Sequence, residues 1–239
     1  MRLGVQPRKL VAGCYVLAVL VLWGYSLAPA RGADLKNRLA AGEIIYRTLE
    51  APGSGLKKGE AMGVVDAPPA KVWQVVTDIN NYQYFLPRML RSRLVQFEEL
   101  RTVIAQQPGS AAAVEALLSP IPGDLAAIRV PGGKYRGYFY GHLEVPFPLR
   151  DRWYIVSVLW DESQAARQVY TCSWSLMAGN LREYYGDWKV EPFGAHRTLL
   201  TYRAATDPGG FAPRFLVEEF STKTLPQVIA GVRKRLATR

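Results

Sequence analysis

Between Met62 and Ile79 the hydrophobic pattern changes its period, and no other stretch of this 239-residue chain constrains the fold as tightly. Met62-Gly63-Val64-Val65 is a compact apolar run that Asp66-Ala67-Pro68-Pro69 interrupts, and apolar residues then recur at Val72, Val75, Val76 and Ile79. A short run bounded by a turn reads as a strand, and the i, i+3, i+4, i+7 spacing after it reads as an amphipathic helix. Pro69 suits the first helical turn, where a backbone N–H would have no partner in any case. The predicted helix is spent by Asp78. Asn80-Asn81-Tyr82-Gln83-Tyr84-Phe85-Leu86 follows as a second, short, aromatic helix, ended at Pro87 because the residue before a proline is steered away from the α region.

Other elements group around this core segment. Asp34 to Ala41 is a short amphipathic lead-in with Leu35 and Leu39 four residues apart. Glu43–Glu50 and Lys57–Asp66 form a predicted hairpin about the turn cluster Pro52-Gly53-Ser54-Gly55. Ser92–Phe97 reads as a further strand. From Glu98 to Gly133 the pattern degrades, apart from helix-prone Ala111–Leu118, and this stretch is read as an inserted flap near the mouth of a binding pocket. After Gly133 five strands follow in close succession, at Lys134–Val145, Asp151–Trp160, Arg167–Leu176, Leu181–Val190 and His196–Ala205. Connections this short imply an antiparallel meander, since parallel neighbours need long crossovers. Asp207-Pro208-Gly209-Gly210 then breaks the chain before a long helix from Pro213 to about Leu236, with Leu225, Ile229, Val232 and Leu236 on one face and Pro226 expected to kink it.

The N-terminus has a different character. Arg2, Arg8 and Lys9 precede an uncharged run of 18 residues, Leu10–Leu27, and Ala28-Pro29-Ala30 supplies the small-x-small pattern that a signal peptidase reads. Residues 1–30 are therefore expected to be a cleaved secretory signal delivering the protein to the periplasm. The alternative is an uncleaved anchor in the inner membrane, because 18 helical residues span about 27 Å. Without residues 1–30 the remaining 209 residues hold 27 Lys and Arg against 20 Asp and Glu, a net +7. An exported chain argues against nucleic acid as the partner of that charge and leaves an anionic membrane surface as a candidate, with simple solubility as the other explanation. Cys172 is the only cysteine left after cleavage, so no internal disulfide can form, and its alternating strand context makes it a small buried hydrophobe.

The order of hairpin, two helices, meander and long terminal helix resembles the START/polyketide-cyclase superfamily. The resemblance spans about residues 34 to 239. It is carried by Val64-Val65-Asp66-Ala67-Pro68 with the helix after it, by Leu149-Arg150-Asp151-Arg152-Trp153-Tyr154, and by Asp207-Pro208-Gly209-Gly210 with Pro213 and the final helix. It implies an α+β helix-grip fold, residues 31–239 forming one START-like domain with residues 98–133 as an insertion. In that fold a curved antiparallel sheet wraps the long C-terminal helix around an internal hydrophobic cavity. The family often directs an arginine into the cavity from the strand after a Pro-rich turn, a place that Arg152 or Arg150 takes here. Tyr84, Phe85, Phe139, Tyr185, Trp188 and Tyr202, with Leu216 and Phe220 of the terminal helix, are the candidate lining residues.

Polyketide cyclases and aromatases share the implied fold, so the resemblance is compatible with catalysis as well as with carriage. His142 and His196 have no cysteine or second histidine at metal-ligand spacing, and no metal or cofactor site is expected. No nucleophile elbow or phosphate-binding glycine loop appears, and the adjacent Glu218 and Glu219 point different ways on a helix. The expected protein is a monomeric, non-enzymatic binder of a lipid or other hydrophobic small molecule, and the resemblance extends the expectation to transfer of that molecule. A cyclase-, aromatase- or hydrolase-like enzyme using the same cavity is the alternative.

Overall fold

The computed structural model describes residues 30–50, 56–145, 150–209 and 214–238, without the side chains of residues 30–33 and 214–220. Helix α1 (Ala30–Ala40) belongs to a separate unit, residues 1–41, and the fold described below is that of residues 42–239. The expected signal segment lies outside the described residues, save Ala30, at which α1 starts. Among the described residues no helix is long and apolar enough to cross a membrane.

Strands β1 (Ile45–Glu50) and β2 (Lys57–Val65) form the expected hairpin, with Ile45 opposite Met62 and Glu50 opposite Lys57. Helix α2 (Pro69–Val76) starts from the extended Pro68 and buries Val72, Trp73, Val75 and Val76, the face that the sequence spacing marks. The aromatic helix is a 3-10 segment, Ile79–Tyr84, and leads into β3 (Met89–Val95). Helices α3 (Phe97–Gln106) and α4 (Ala111–Glu115) come next. The meander follows as β4 (Lys134–Leu143), β5 (Arg152–Asp161), β6 (Tyr170–Gly179), β7 (Glu183–Phe193) and β8 (Arg197–Asp207). Helix α5 (Arg214–Ala237) runs as one helix through Pro226.

Among the described residues the eight strands make one antiparallel sheet in the order β1-β2-β8-β7-β6-β5-β4-β3. The meander thus returns to pair β8 with β2, and α2 with the 3-10 segment carries the chain across the inner face to the far edge. Leu225, Val228, Ile229 and Val232 of α5 are buried in the same core as α2 and the inward residues of the sheet. Two glycines of β2 let α5 lie this close: a Cβ on Gly59 would stand 2.7 Å from Leu225 Cδ2, and one on Gly63 would stand 2.8 Å from Ile229 Cγ2.

The stretch read as a flap at the pocket mouth is placed elsewhere. Leu100, Val103 and Val114 of α3 and α4 pack with Val95, Tyr140, Trp153 and Ile155, which form a second core on the outer face of the sheet. The strand expected at Ser92–Phe97 ends at Val95 because Phe97 already belongs to α3. Glu99 accepts a hydrogen bond from Gln96 N at 2.7 Å, so Gln96-x-x-Glu99 starts this helix in the manner of a capping box, a local signal that the sequence reading passed over. The edge strand β3 is protected by side chains of the 3-10 segment. Leu94 N donates to Asn80 Oδ1 at 2.7 Å and Ser92 N to Gln83 Oε1 at 3.0 Å, which blunts an edge that could otherwise pair with another chain.

Candidate functional site

Side-chain alternation decides what the inner face presents. Tyr135 and Phe139 of β4, Tyr154, Val156 and Val158 of β5, Cys172 and Trp174 of β6, and Trp188 of β7 all belong to the inner core. Tyr184 of β7 and Tyr202 of β8 pack against it. Two-residue spacing along each strand keeps these side chains on one face.

One end of this inner surface is closed by a carboxylate. Glu162, just past β5, is 2% exposed and accepts hydrogen bonds from Trp73 Nε1 at 2.8 Å and the Tyr135 hydroxyl at 2.7 Å. Arg129 adds a bidentate pair, Nε and Nη2 each at 3.0 Å from a Glu162 oxygen. Burial pushes the Glu162 carboxyl up, yet the hydrogen bonds from Arg129, Trp73 and Tyr135 outweigh it and hold the group below its ordinary value. Stacked rings fill the space around it, Trp73 on Tyr170 at 5.4 Å and Tyr135 on Trp160 at 5.3 Å. The last part of the 98–133 stretch therefore reaches the inner face, where Arg129 acts as a clasp on Glu162.

Further along lies a cavity of about 40 Å³, lined by Ile79, Tyr82, Leu86, Met89, Phe139, Tyr154, Val156, Val158, Cys172, Trp174, Tyr184, Trp188 and Tyr202. Volume of this kind holds a few waters at most. Among the described residues none that lines it is charged. The polar groups are tyrosine hydroxyls, one thiol and the indole nitrogens. The Tyr184 and Tyr202 hydroxyls are 3.4 Å apart, and the Tyr154 hydroxyl interacts with that of Tyr184. Burial raises all three hydroxyls above the ordinary tyrosine range, and burial also pushes the Cys172 thiol up. These groups stay protonated near neutral pH, where they can donate hydrogen bonds and cannot act as bases or thiolate nucleophiles.

A larger cleft of about 490 Å³ sits at the β3 edge, lined by Asn80, Gln83, Arg91, Ser92, Arg93, Glu115, Leu118, Ser119, Pro120, Pro122 and Tyr140. Most of its polar side chains already serve the fold. Asn80 bonds Leu94 N and Gly123 O, Gln83 and Ser92 bond each other's backbone, and Arg93 holds Glu99 and the carbonyls of Ser119 and Ile121. The apolar cavity, in which the Tyr82 hydroxyl donates to Val76 O while Trp174 Nε1 has no hydrogen-bond partner, is the candidate site.

The sequence-expected residues divide. Phe139, Trp188 and Tyr202 line the cavity. Phe85 packs beside it, edge-to-face on Tyr82 at 5.6 Å and beneath the Arg235 guanidinium at 5.7 Å. Tyr84 is 71% exposed. Tyr185 lies on the outer face with Lys58 6.0 Å from its ring, because it is out of phase with Trp188, three residues on. Arg152 is in phase with Tyr154, but it stands at the start of β5, where its Nη1 donates to Arg150 O at 2.8 Å. Arg150 is exposed. Neither arginine is among the described residues that line the cavity; Arg152 is half-buried at the strand end, with its Nε shielded from solvent and without a hydrogen-bond partner. Leu216 and Phe220 fall in α5 at positions whose side chains lie outside the described residues.

Tyr154, Trp174 and Tyr184 also line the cavity and are not among the sequence-expected residues. Phase along each strand, counted from Phe139 through the antiparallel registers, would have found them. His142 faces outward between Glu115 and Asp151, with 3.4 Å to each, and His196 is exposed in the turn after β7 and not in a strand as expected. Among the described residues no cluster of His, Cys, Asp and Glu could hold a metal ion.

A family model described as "Polyketide cyclase / dehydrase and lipid transport" matches residues 65–233. An uncharacterised protein of Pseudomonas aeruginosa is 22% identical over 185 residues, which is 72% of this chain and 90% of that protein. The STAR-related lipid transfer protein of Xanthomonas axonopodis superposes with a TM-score of 0.57 at 16% identity, covering 81% of this chain and 93% of that one. Human StAR-related lipid transfer protein 5 gives 0.54 at 10% identity, with 87% and 97% covered. These likenesses establish the helix-grip fold.

Proposed function

Because the chain belongs to the polyketide cyclase/dehydrase and lipid transport family, we propose that it binds, and transfers between membranes of the bacterial cell envelope, a lipid or other hydrophobic small molecule. The observation that carries this reading is the cavity itself, whose lining among the described residues is aromatic and aliphatic with no charged side chain. Pockets for apolar ligands have this composition, with a few polar groups to fix orientation. Each Å² of apolar ligand surface removed from water contributes about 25 cal/mol, so a lipid is held without any covalent step.

A cavity of about 40 Å³ is far smaller than such a cargo, so loading requires it to widen. The Glu162 clasp ties three elements together at one end. Widening therefore falls to the opposite end, where Leu86 and Met89 stand and where β5 starts. Native mass spectrometry of the protein from its own cells, with organic extraction of the bound material, should reveal a hydrophobic molecule. A protein that arrives empty and takes up no lipid from vesicles would sink the reading. If the extracted molecule is converted on incubation with fresh protein, the cyclase- or dehydrase-like alternative replaces carriage.

Export to the periplasm is part of the same proposal, motivated by Ala28-Pro29-Ala30 closing the apolar run. The intact mass of the exported protein is expected to lack residues 1–30. Recovery of the full-length chain in the membrane fraction would assign an anchor instead. On either outcome the basic surface, net +7 without the signal, favours contact with anionic lipid headgroups.

A further inference from the structure

The cleft at the β3 edge is built by two parts of the chain that sequence separates. Strands β3 and β4 supply Arg91, Ser92 and Tyr140, and the 98–133 stretch supplies Glu115, Leu118, Ser119 and two prolines. Its volume of about 490 Å³ is that of a small-molecule site. Asn80, Gln83 and Arg93 are committed to backbone groups and to Glu99, but other polar groups of the lining are not. Among the described residues the Arg91 guanidinium makes no hydrogen bond and no ion pair. Glu115 uses only Oε1, which accepts from the Tyr140 hydroxyl at 3.1 Å and lies 3.4 Å from His142 Nδ1, while its Oε2 has no partner among the described residues. Ser92, 5% exposed, and Ser119 accept from Gln83 N and Ile121 N, and neither hydroxyl proton is donated to another described residue. The fully buried Tyr140 hydroxyl lies in the field of both Glu115 and Arg91, yet these two charges form no ion pair with each other. An opposite pair that lines one cleft without closing on itself is complementary to a molecule that carries both charges.

We propose that this cleft is a second binding site, for a small zwitterion in which a phosphate or carboxylate is joined to a primary ammonium group. The anionic group takes Arg91 and the serine hydroxyls, and the ammonium takes Glu115. A guanidinium fork matches either anion with paired hydrogen bonds. A bare anion gains Arg91 but is repelled by Glu115, and a bare cation meets the reverse, so only the joined pair is attracted by both. Leu118, Pro120 and Pro122 give the short alkyl link an apolar surface. The cleft and the cavity share no lining residue, so the inference does not rest on the hydrophobic-cargo reading. It also gives the 98–133 stretch a role, since that stretch supplies the carboxylate half of the site.

The test titrates the full chain with phosphoethanolamine, inorganic phosphate and ethanolamine by calorimetry at low ionic strength, where exposed charges are least screened. Phosphoethanolamine is expected to bind about tenfold more tightly than either fragment. Arg91→Gln should weaken phosphoethanolamine and phosphate alike, each about tenfold, and it removes no contact of the fold. Glu115→Gln keeps an acceptor for the Tyr140 hydroxyl, and it should weaken phosphoethanolamine about tenfold while phosphate binds as well as before or better. Flotation with phosphatidylcholine vesicles, with and without phosphatidylethanolamine, identifies the source of the zwitterion. Binding that needs both phosphatidylethanolamine and Arg91 marks a lipid headgroup, and binding of the soluble compound alone marks a free molecule; the site stands on either result. Phosphate or ethanolamine binding as tightly as phosphoethanolamine overturns the zwitterion assignment, as does a Glu115→Gln protein that still prefers phosphoethanolamine over phosphate. Failure of all these compounds to bind, or binding that Arg91→Gln leaves unchanged, overturns the site itself.

Discussion

Glu162→Ala lowers the stability of the protein by about 3–5 kcal/mol, read as a shifted midpoint in urea denaturation. The carboxylate is 2% exposed and satisfies Trp73 Nε1, the Tyr135 hydroxyl and two nitrogens of Arg129 at once. Its removal leaves a buried indole N–H and a buried phenol without partners and frees a guanidinium, and orphaned groups cost more than a net hydrogen bond is worth. Glu162→Gln keeps an acceptor oxygen and should fall between the two. The loss has a pH signature. Because the folded carboxyl titrates below the ordinary glutamate value of 4.5, the part of its contribution that comes from ionisation is complete above that value and is lost as pH falls through the folded value. The stability difference between wild type and Glu162→Ala should therefore narrow in acid. Curves that stay parallel down to the acid transition would show that the clasp is held by packing alone.

Gly231→Val is expected to have the next largest effect, at the upper end of the roughly 1–3 kcal/mol typical of overpacking. A Cβ at this position of α5 would stand 2.2 Å from the Phe85 carbonyl oxygen, a backbone atom that cannot swing aside as a side chain does. Even Gly231→Ala should destabilise, because the clash exceeds the gain of about 1 kcal/mol that alanine brings to a helix interior. Relief requires α5 to move away from the segment that supplies Ile79, Tyr82 and Leu86 to the cavity. Thermal denaturation measures the first effect, and retention of extracted cargo by the folded fraction measures the second. A Gly231→Val protein as stable as wild type would mean that α5 has room which the structure does not show.

The two sites illustrate different reaches of sequence information. Residues within a few positions of one another declared themselves. The change of period after Val65 marked β2 and α2, short connections marked the meander, and the spacing of Leu225, Ile229 and Val232 marked the buried face of α5. These are local regularities, set by 3.6 residues per helical turn and two per strand repeat. Alternation within β4 likewise put Tyr135, Phe139 and Leu143 on one face, and the structure places all three against the inner core.

What local pattern cannot carry is which face of each strand turns inward and what lies across from it. Tyr184 and Tyr185 are neighbours in sequence, yet one lines the cavity and the other meets Lys58 outside, a choice settled by the pairing of β7 with β6 and β8. The burial of α3 and α4 behind the sheet was equally hidden, since their apolar faces are short and their partners, Tyr140, Trp153 and Ile155, lie on strands that come later. Glu162 reads as a solvated turn acid until the fold brings Trp73, Arg129 and Tyr135 around it from 89, 33 and 27 residues away. The sequence alone therefore determined the elements and the family resemblance, because both rest on nearby residues. Tertiary structure alone decided the cavity, its uncharged lining and its clasp, because each is a sum of contacts between residues far apart along the chain.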